Sequence, residues 1–337
     1  MVEFASATTK LKRDGNLETF RKLWEDLKAY LEGAIQFPFE QIEFSKAELK
    51  RGLKNTMSRD YGCAHEMKRS EDESDTKVDE AQTAHFVFYL GYDQPILCVE
   101  EEEGVGLLAF AMPCPILRMA YKRGASKDVY VRPTSGLIYF CPAAMKDPSL
   151  ALSTAIHEAF HALGFHSVYL VPALSLWGAF VQPWQVNSTT TVYRPTFAFL
   201  GRRTVETDRR DYGVDCHSGQ IHQFHDSREE AQSRWHRRSL DCFFYLAMQA
   251  IGHWERLYYA NELMEALSSP MVAISEITIS YLEELMLYKV NREFINSRGA
   301  SMPAMKDHWF GRGWGCDFAM HSCYKWMQQK HFEGRVV

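Results

Sequence analysis

The first sustained apolar pattern along the chain predicts an amphipathic helix over residues 16–34. Its large apolar side chains recur every three or four positions, which places them on one face of an α-helix. They are Leu17, Phe20, Trp24, Leu27 and Leu31. Residues 66–83 are charged and poor in apolar side chains, so a loop is predicted there.

The pattern then changes to short runs of β-branched and aromatic residues bounded by turn-forming residues. These runs cover 85–90, 106–112 and 136–141. Runs of this length and composition are typical of β-strands. We interpret all three as strands of one sheet.

The best-defined helix follows the third run. Asp147 can cap its amino terminus, and Pro148 suits the first helical position. Gly164 stands where a residue with positive φ would end the helix. Between them the apolar side chains recur at helical spacing. They are Leu152, Ile156, Phe160 and Leu163.

Beyond this helix the pattern is less regular. Residues 167–250 mix scattered Pro, Ser and Thr with Arg-rich runs, and a polar helix leads into the run FFYLAMQAI (243–251). We interpret this part as an inserted subdomain. A final helix is predicted over 272–288 from apolar positions at helical spacing. These positions are Ile274, Ile277, Tyr281, Leu285 and Tyr288.

Composition and charge exclude several classes of protein. Of the 337 residues, 46% are hydrophobic and 24% are charged, which excludes a disordered, collagenous or coiled-coil chain. The net charge of -5 provides no basic field to hold nucleic acid or an anionic membrane. No stretch reaches the roughly 18 apolar residues that a membrane helix needs. The amino terminus lacks the apolar core expected of a signal peptide.

The cysteines leave the cellular compartment open. There are eight, with no CxxC pair to indicate a thiolate zinc site. Eight in a chain of this length do not establish disulfides. Asn187-Ser188-Thr189 is a glycosylation sequon, a motif that also arises by chance.

The 147–164 helix carries the strongest chemical signal, the HExxH motif from His157 to His161. Histidines at positions i and i+4 project from one helix face, so both imidazoles can reach one zinc ion. Glu158, beside the first histidine, has the position needed for a base that activates a metal-bound water.

A catalytic zinc ion needs a third protein ligand and one open position. The motif extends to HExxHxxG at Gly164, but position 167, where a compact motif has its third histidine, is Ser. His166 lies one residue too early at a tight turn and is a poor ligand. The third ligand must therefore come from elsewhere in the chain.

The sequence HEAFHALGF resembles the zinc helix of the leishmanolysin family of metzincin metalloproteases, which includes the invadolysins. In that family a long insertion precedes the third histidine and a Glu-Leu-Met turn. Residues 252–256 (GHWER) and 261–264 (NELM) are similar to those two segments. Residues 107–114, 132–142 and 314–318 resemble further family segments. The resemblance runs from about residue 25 to 323.

The resemblance implies a zinc-dependent endopeptidase with one Zn²⁺ per chain. His157, His161 and His253 would bind the metal, and Glu158 would be the general base. Met264 would pack beneath the metal, and Gly164 would form the turn that ends the helix.

The implied fold is α+β: a metzincin-type core with a twisted mixed sheet and a zinc-binding helix. The inserted subdomain would lie between the second and third zinc histidines. We predict an amino-terminal catalytic subdomain (1–165), an inserted central subdomain (166–250) and a carboxy-terminal subdomain with the third ligand and the Met-turn (251–337).

Protein or peptide substrates are expected, without nucleic acid. An extended substrate would add to the exposed edge of the sheet as an antiparallel strand. Several cysteines at or near family positions favour disulfides and an extracellular, cell-surface or secretory-lumen location. The resemblance further implies that a signal sequence, a propeptide and much of a carboxy-terminal domain lie outside this chain. Membrane association is expected only through such parts.

Two alternatives stay open. The first is a catalytically silent adhesion or binding protein that keeps the metzincin fold, although all of His157, Glu158, His161 and His253 are intact. The second is a zinc hydrolase whose third ligand is a downstream carboxylate, such as Glu229 or Glu230. Replacing His253 would leave the zinc stoichiometry of that enzyme unchanged.

Overall fold

A computed structural model describes a defined part of the chain. The described residues are 2–5, 8–36, 84–93, 98, 107–113, 118–122, 129–133, 135–165, 177–199, 223–224, 253–254, 259–266, 272–284, 288–297, 303–312, 314, 318 and 321–332. They fall into two compact units. The first comprises residues 1–166 and 286–295, and the second comprises residues 167–285 and 296–337.

The strands and helices are numbered along the chain. The strands are β1 (Val2–Ala5), β2 (Ile35–Gln36), β3 (Val87–Tyr92), β4 (Ala109–Pro113), β5 (Arg118–Lys122), β6 (Val129–Pro133), β7 (Ser135–Phe140), β8 (Trp177–Gln185), β9 (Thr191–Phe199), β10 (Gln223–Phe224) and β11 (Lys289–Val290). The α-helices are α1 (Thr8–Arg13), α2 (Leu17–Ala34), α3 (Pro148–Leu163), α4 (Glu276–Glu284), α5 (Arg292–Asn296) and α6 (Cys323–Phe332). Short 3₁₀ turns cover Pro142–Lys146 and Met305–Asp307. The protein is therefore α+β.

A four-stranded mixed sheet forms the centre of the first unit. The strand order is β1-β3-β7-β4. The first three strands run parallel, and β4 pairs antiparallel with β7 at one end. The three predicted runs are confirmed as strands of one sheet, with ends that differ by one to three residues. Strand β5 pairs antiparallel with β6 in a separate ribbon.

Helices α2 and α3 contact each other and pack on one face of this sheet. The ring of Phe140 in β7 meets Phe20 in α2, with centroids 5.6 Å apart. Gly136, four residues earlier on the same face, lies against Ala162 in α3. A Cβ atom on Gly136 would come within 2.5 Å of the Ala162 Cβ. The close approach of α3 to the sheet therefore requires glycine in β7.

Residues 286–295, where the chain returns to the first unit, contact the carboxy-terminal ends of α2 and α3. Strand β11 pairs antiparallel with β2, directly after α2. The Phe294 ring fills the space beside Gly33, where a Cβ atom would lie 2.0 Å from it. The Tyr288 hydroxyl donates a hydrogen bond to the Leu163 carbonyl at the end of α3.

A disulfide joins Cys98 to Cys141, at the end of β7, with Cα atoms 5.2 Å apart. Among the residues that the structure describes, no helix is both long and apolar enough to cross a membrane.

The second unit contains an antiparallel hairpin of β8 and β9, to which β10 adds beside β9. Helix α4 is shorter than the predicted helix over 272–288. It begins only after Ser275, because Ala273 is paired with Glu262 and the Ser275 hydroxyl accepts a hydrogen bond from the Thr278 N–H (3.1 Å). The predicted loop at 66–83 and most of the predicted insertion, including its polar helix, lie outside the described residues.

Two residues of the family-like segment at 314–318 belong to an aromatic cluster. The ring of Trp314 stacks on Trp326 at 5.2 Å, and Phe318 meets Trp314 edge to face at 4.7 Å. Phe310 contacts both Trp314 and Phe318. These rings anchor α6 within the second unit.

Candidate metal centre

Helix α3 has the ends that the sequence predicts. The Asp147 carboxylate accepts hydrogen bonds from the N–H groups of Ser149 (2.9 Å) and Leu150 (3.3 Å), with Pro148 at the first helical position. Gly164 ends the helix at φ 124° and donates its N–H to carbonyls of the last turn. Because L-residues rarely adopt this φ, glycine is required here.

His157 and His161 face each other across one helical turn. Their Nε2 atoms lie 3.0 Å apart and their ring centroids 4.6 Å apart. Two imidazoles on one tetrahedral zinc ion have nitrogen atoms about 3.3 Å apart. The pair therefore has close to the spacing of two ligands on one ion.

The turn after α3 fixes the tautomer of His161. Its Nδ1 atom lies 2.6 Å from the carbonyl oxygen of Phe165. A carbonyl only accepts hydrogen bonds, so Nδ1 carries the proton in this contact. In the neutral ring the Nε2 lone pair is then available to a metal, and a backbone carbonyl is a common partner of a metal-binding histidine. Gly164 thus positions the carbonyl that orients His161.

Glu158 is buried, with 6% of its surface exposed, and the backbone N–H of Ala111 donates a hydrogen bond to its carboxylate. Burial raises the pKa of Glu158 to about 8, and the Ala111 N–H opposes that rise. A carboxyl group that changes protonation near neutral pH can both accept and return a proton.

The contact with Ala111 follows from the register of β4. The Cys141 N–H bonds to the Leu108 carbonyl, so this pair is hydrogen-bonded across β4 and β7. Ala111 pairs with Ile138 three residues farther along, at a non-hydrogen-bonded position. The N–H and C=O of Ala111 therefore point away from β7, towards the open edge of the described sheet.

A buried carboxylate organises the turn that contains Met264. The Oε1 atom of Glu262 accepts hydrogen bonds from the Ser275 N–H (3.0 Å), the Ser275 hydroxyl (2.9 Å) and the Thr278 hydroxyl (2.5 Å). Its Oε2 atom accepts the Met264 N–H. Burial raises the pKa of Glu262, and all of these hydrogen bonds oppose that rise. Met264 itself is fully buried.

The same network reaches the residue after His253. The Trp254 indole Nε1 donates to the Thr278 hydroxyl (2.7 Å), which in turn donates to Glu262. The Trp254 backbone N–H donates to the Met264 carbonyl (2.9 Å). The segment that carries His253 is therefore held at two points, through its backbone and through a buried indole.

One ligand atom from each of His157, His161 and His253 lies within 4.8 Å of the other two, a grouping that could hold a metal ion. Three imidazoles are a donor set that zinc accepts, with a fourth position for water or substrate. The tautomer of His161 and the spacing of its Nε2 atom from that of His157 fit this ion.

Known proteins similar to this chain are peptidases. No family model matches the chain. The chain is similar to the leishmanolysin-like peptidase of Drosophila pseudoobscura pseudoobscura, with 27% identity over 285 residues that cover 77% of the chain and 36% of that protein. It is similar to the leishmanolysin-like peptidase of Caenorhabditis elegans, with 26% identity over 237 residues that cover 60% and 31%.

A leishmanolysin-like peptidase of Drosophila melanogaster matches at 24% identity, over 76% of the chain and 36% of that protein. The chain is thus similar to leishmanolysin-like peptidases of three species over 60–77% of its length. This confirms the resemblance inferred from the zinc helix and the Met-turn. The chain spans about a third of the length of the curated relatives it matches.

Some residues of the site carry no plain sequence signal. Ala111 and Phe165 act through backbone groups, which any residue supplies. Ser275 and Thr278 were detectable only as polar positions inside an apolar segment, whereas Glu262 belongs to the Glu-Leu-Met turn that the resemblance names. His166, Glu229 and Glu230, which the sequence raised as questions, lie outside the described residues.

Proposed function

We propose that the chain is a zinc-dependent endopeptidase in which His157, His161 and His253 hold one Zn²⁺. The grouping of the three histidine ligand atoms carries the proposal, together with Glu158, which follows His157 on the helix that bears two of those histidines. The names of the relatives, all leishmanolysin-like peptidases, support peptide hydrolysis with proteins or peptides as substrates. The metzincin-type core, with an insertion between His161 and His253, is part of the same proposal.

Zinc bound here would supply a Lewis acid and a water molecule with a pKa lowered towards about 7. Glu158 takes a proton from water at its carboxylate and returns it to the departing amine. Burial raises the pKa of the Glu158 carboxyl, which makes its ionised form a stronger base for the first step. The Ala111 N–H keeps the carboxylate in one orientation.

Strand β4 is the last strand of the sheet among the described residues, and this position supports a binding mode for an extended peptide. At every second residue of β4 the backbone groups point away from β7. These include the carbonyl of Ala111, beside Glu158. A peptide that pairs antiparallel with β4 would pass next to the catalytic carboxylate and gain affinity from main-chain hydrogen bonds with little demand on its sequence.

Glu158→Gln tests the role of the base. The variant should bind one zinc per chain and lose roughly 10²–10⁴-fold in the rate of casein cleavage, since only proton transfer is removed. Cleavage at the wild-type rate would contradict the assignment. A wild-type chain that binds zinc without cleaving any substrate would favour the silent binding protein.

The cellular location is a further part of the proposal. The Cys98–Cys141 disulfide supports an extracellular or secretory-lumen protein, because such bonds persist in oxidising compartments.

A further inference from the structure

The glycosylation sequon lies at the tip of the β8–β9 hairpin. Strand pairing ends at Gln185 and Thr191, and the Val186 N–H donates to the Thr190 carbonyl (2.9 Å). Asn187, Ser188 and Thr189 form the turn between these closing residues. All three are exposed, and Val186 beside them is 49% exposed. Among the six asparagines of the sequence, Asn187 is the one followed by the pattern x-Ser/Thr.

The turn holds the asparagine side chain in a defined conformation. The Oδ1 atom of Asn187 accepts hydrogen bonds from the Thr189 N–H (3.0 Å), the Thr189 hydroxyl (3.1 Å) and the Thr190 N–H (2.9 Å). The hydroxyl that defines the sequon therefore lies directly against the amide. All of these contacts use the oxygen, and no described residue hydrogen-bonds to the Nδ2 atom.

A second observation concerns the compartment. The Cys98–Cys141 disulfide is expected in a chain that folds in an oxidising lumen. N-linked glycans are added in secreted proteins, at surface loops that carry the sequon. The disulfide therefore supports, independently of the sequon, a compartment in which N-linked glycans are added.

We propose that Asn187 is an N-glycosylation site. The donor would be a lipid-pyrophosphate-linked oligosaccharide: the Nδ2–C1 bond forms, the C1–O bond to the pyrophosphate breaks, and Nδ2 loses one proton. No oxidant or reductant is required. A bulky, hydrophilic glycan at this tip would extend into solvent without disturbing the pairing of β8 with β9.

The test uses the full chain, secreted from eukaryotic cells behind a cleavable signal peptide. The wild type is compared with Asn187→Gln and Thr189→Ala, which destroy the sequon. Ser188→Ala is the matched control, because it changes the same turn and keeps the sequon. Wild type and Ser188→Ala should each carry one glycan that peptide-N-glycosidase removes, and the other two variants should carry none.

An unmodified wild-type chain, or a glycan that persists in Asn187→Gln, would overturn the proposal. A peptide map of the same samples reports whether Cys98 and Cys141 are bonded. An unglycosylated chain with the disulfide formed would count against the turn as an acceptor, and one without the disulfide would count against the compartment. None of these readouts depends on zinc or on cleavage, so their failure would leave the peptidase proposal unaffected.

Discussion

Replacing Thr278 with valine should destabilise the chain by about 3 kcal/mol although the side chain hardly changes in volume. The Trp254 indole N–H, buried and 2.7 Å from the Thr278 hydroxyl, loses its acceptor, which costs about 1–3 kcal/mol. The Glu262 carboxylate loses a charge-assisted hydrogen bond worth about 1.5–3 kcal/mol, but it keeps its bonds from Ser275 and Met264. The added methyl group offsets roughly 1 kcal/mol.

A double-mutant cycle with Trp254→Phe isolates the network. Once the Thr278 hydroxyl is gone, removing the indole N–H removes a group that is already unsatisfied. The double variant should therefore be more stable than the sum of the single changes predicts, by about 1–2 kcal/mol. Urea unfolding of the metal-free chain, with its disulfide intact, measures these free energies. Additivity within about 0.5 kcal/mol would refute the network.

The same variants test whether the network positions the third histidine. Because Trp254 follows His253, Thr278→Val should weaken zinc binding about tenfold in a chelator competition assay. Ile279→Val, a buried change on the same helix, should cost about 0.5–1.5 kcal/mol and leave the zinc affinity unchanged. An unchanged affinity in Thr278→Val would mean that the network stabilises the fold without acting on the site.

Two further predictions concern single residues. Gly164→Ala should destabilise the chain by about 1–3 kcal/mol because φ is 124°, and it should weaken zinc binding by moving the Phe165 carbonyl that orients His161. The control Gly15→Ala, at φ 71° in open space, should lower stability without changing zinc binding. Equal zinc affinities of Gly164→Ala and the wild type would contradict this role of Gly164. His308 is buried, and desolvation lowers its pKa to about 4 from an ordinary 6.5, so the unfolded chain binds the extra proton between these values. His308 should therefore destabilise the folded chain by about 3 kcal/mol as the pH falls from 6.5, where the effect is absent, to about 4, where it is complete. His308→Leu should remove this loss of stability. Parallel curves of unfolding free energy against pH for the two proteins would contradict the prediction.

The sequence predicts a helix or a strand well where the spacing of apolar residues alone distinguishes one from the other. Helices α2 and α3 each have an apolar stripe with clear end signals, and their observed ends lie within about a residue of the prediction. The strands of the central sheet were recognised from short apolar runs, which locate a strand but leave its register open. The register decides that the Ala111 N–H faces the open edge, so the contact with Glu158 could not be predicted.

The candidate site divides in the same way. His157, Glu158, His161 and Gly164 belong to one helix, so spacing alone was enough to group them. His253 lies 92 residues beyond His161 and was named only through the resemblance to a family. Helix α4 was predicted too long because Ala273 pairs with Glu262, a long-range contact that overrides the local periodicity.

The most direct test of the account is the zinc content of the purified wild-type chain beside His253→Ala, with casein hydrolysis followed in the same samples. We predict one zinc per wild-type chain and cleavage that a chelator abolishes, with both lost in His253→Ala. Retention of stoichiometric zinc in His253→Ala would move the third ligand elsewhere, and a wild-type chain that binds no zinc would contradict the central claim.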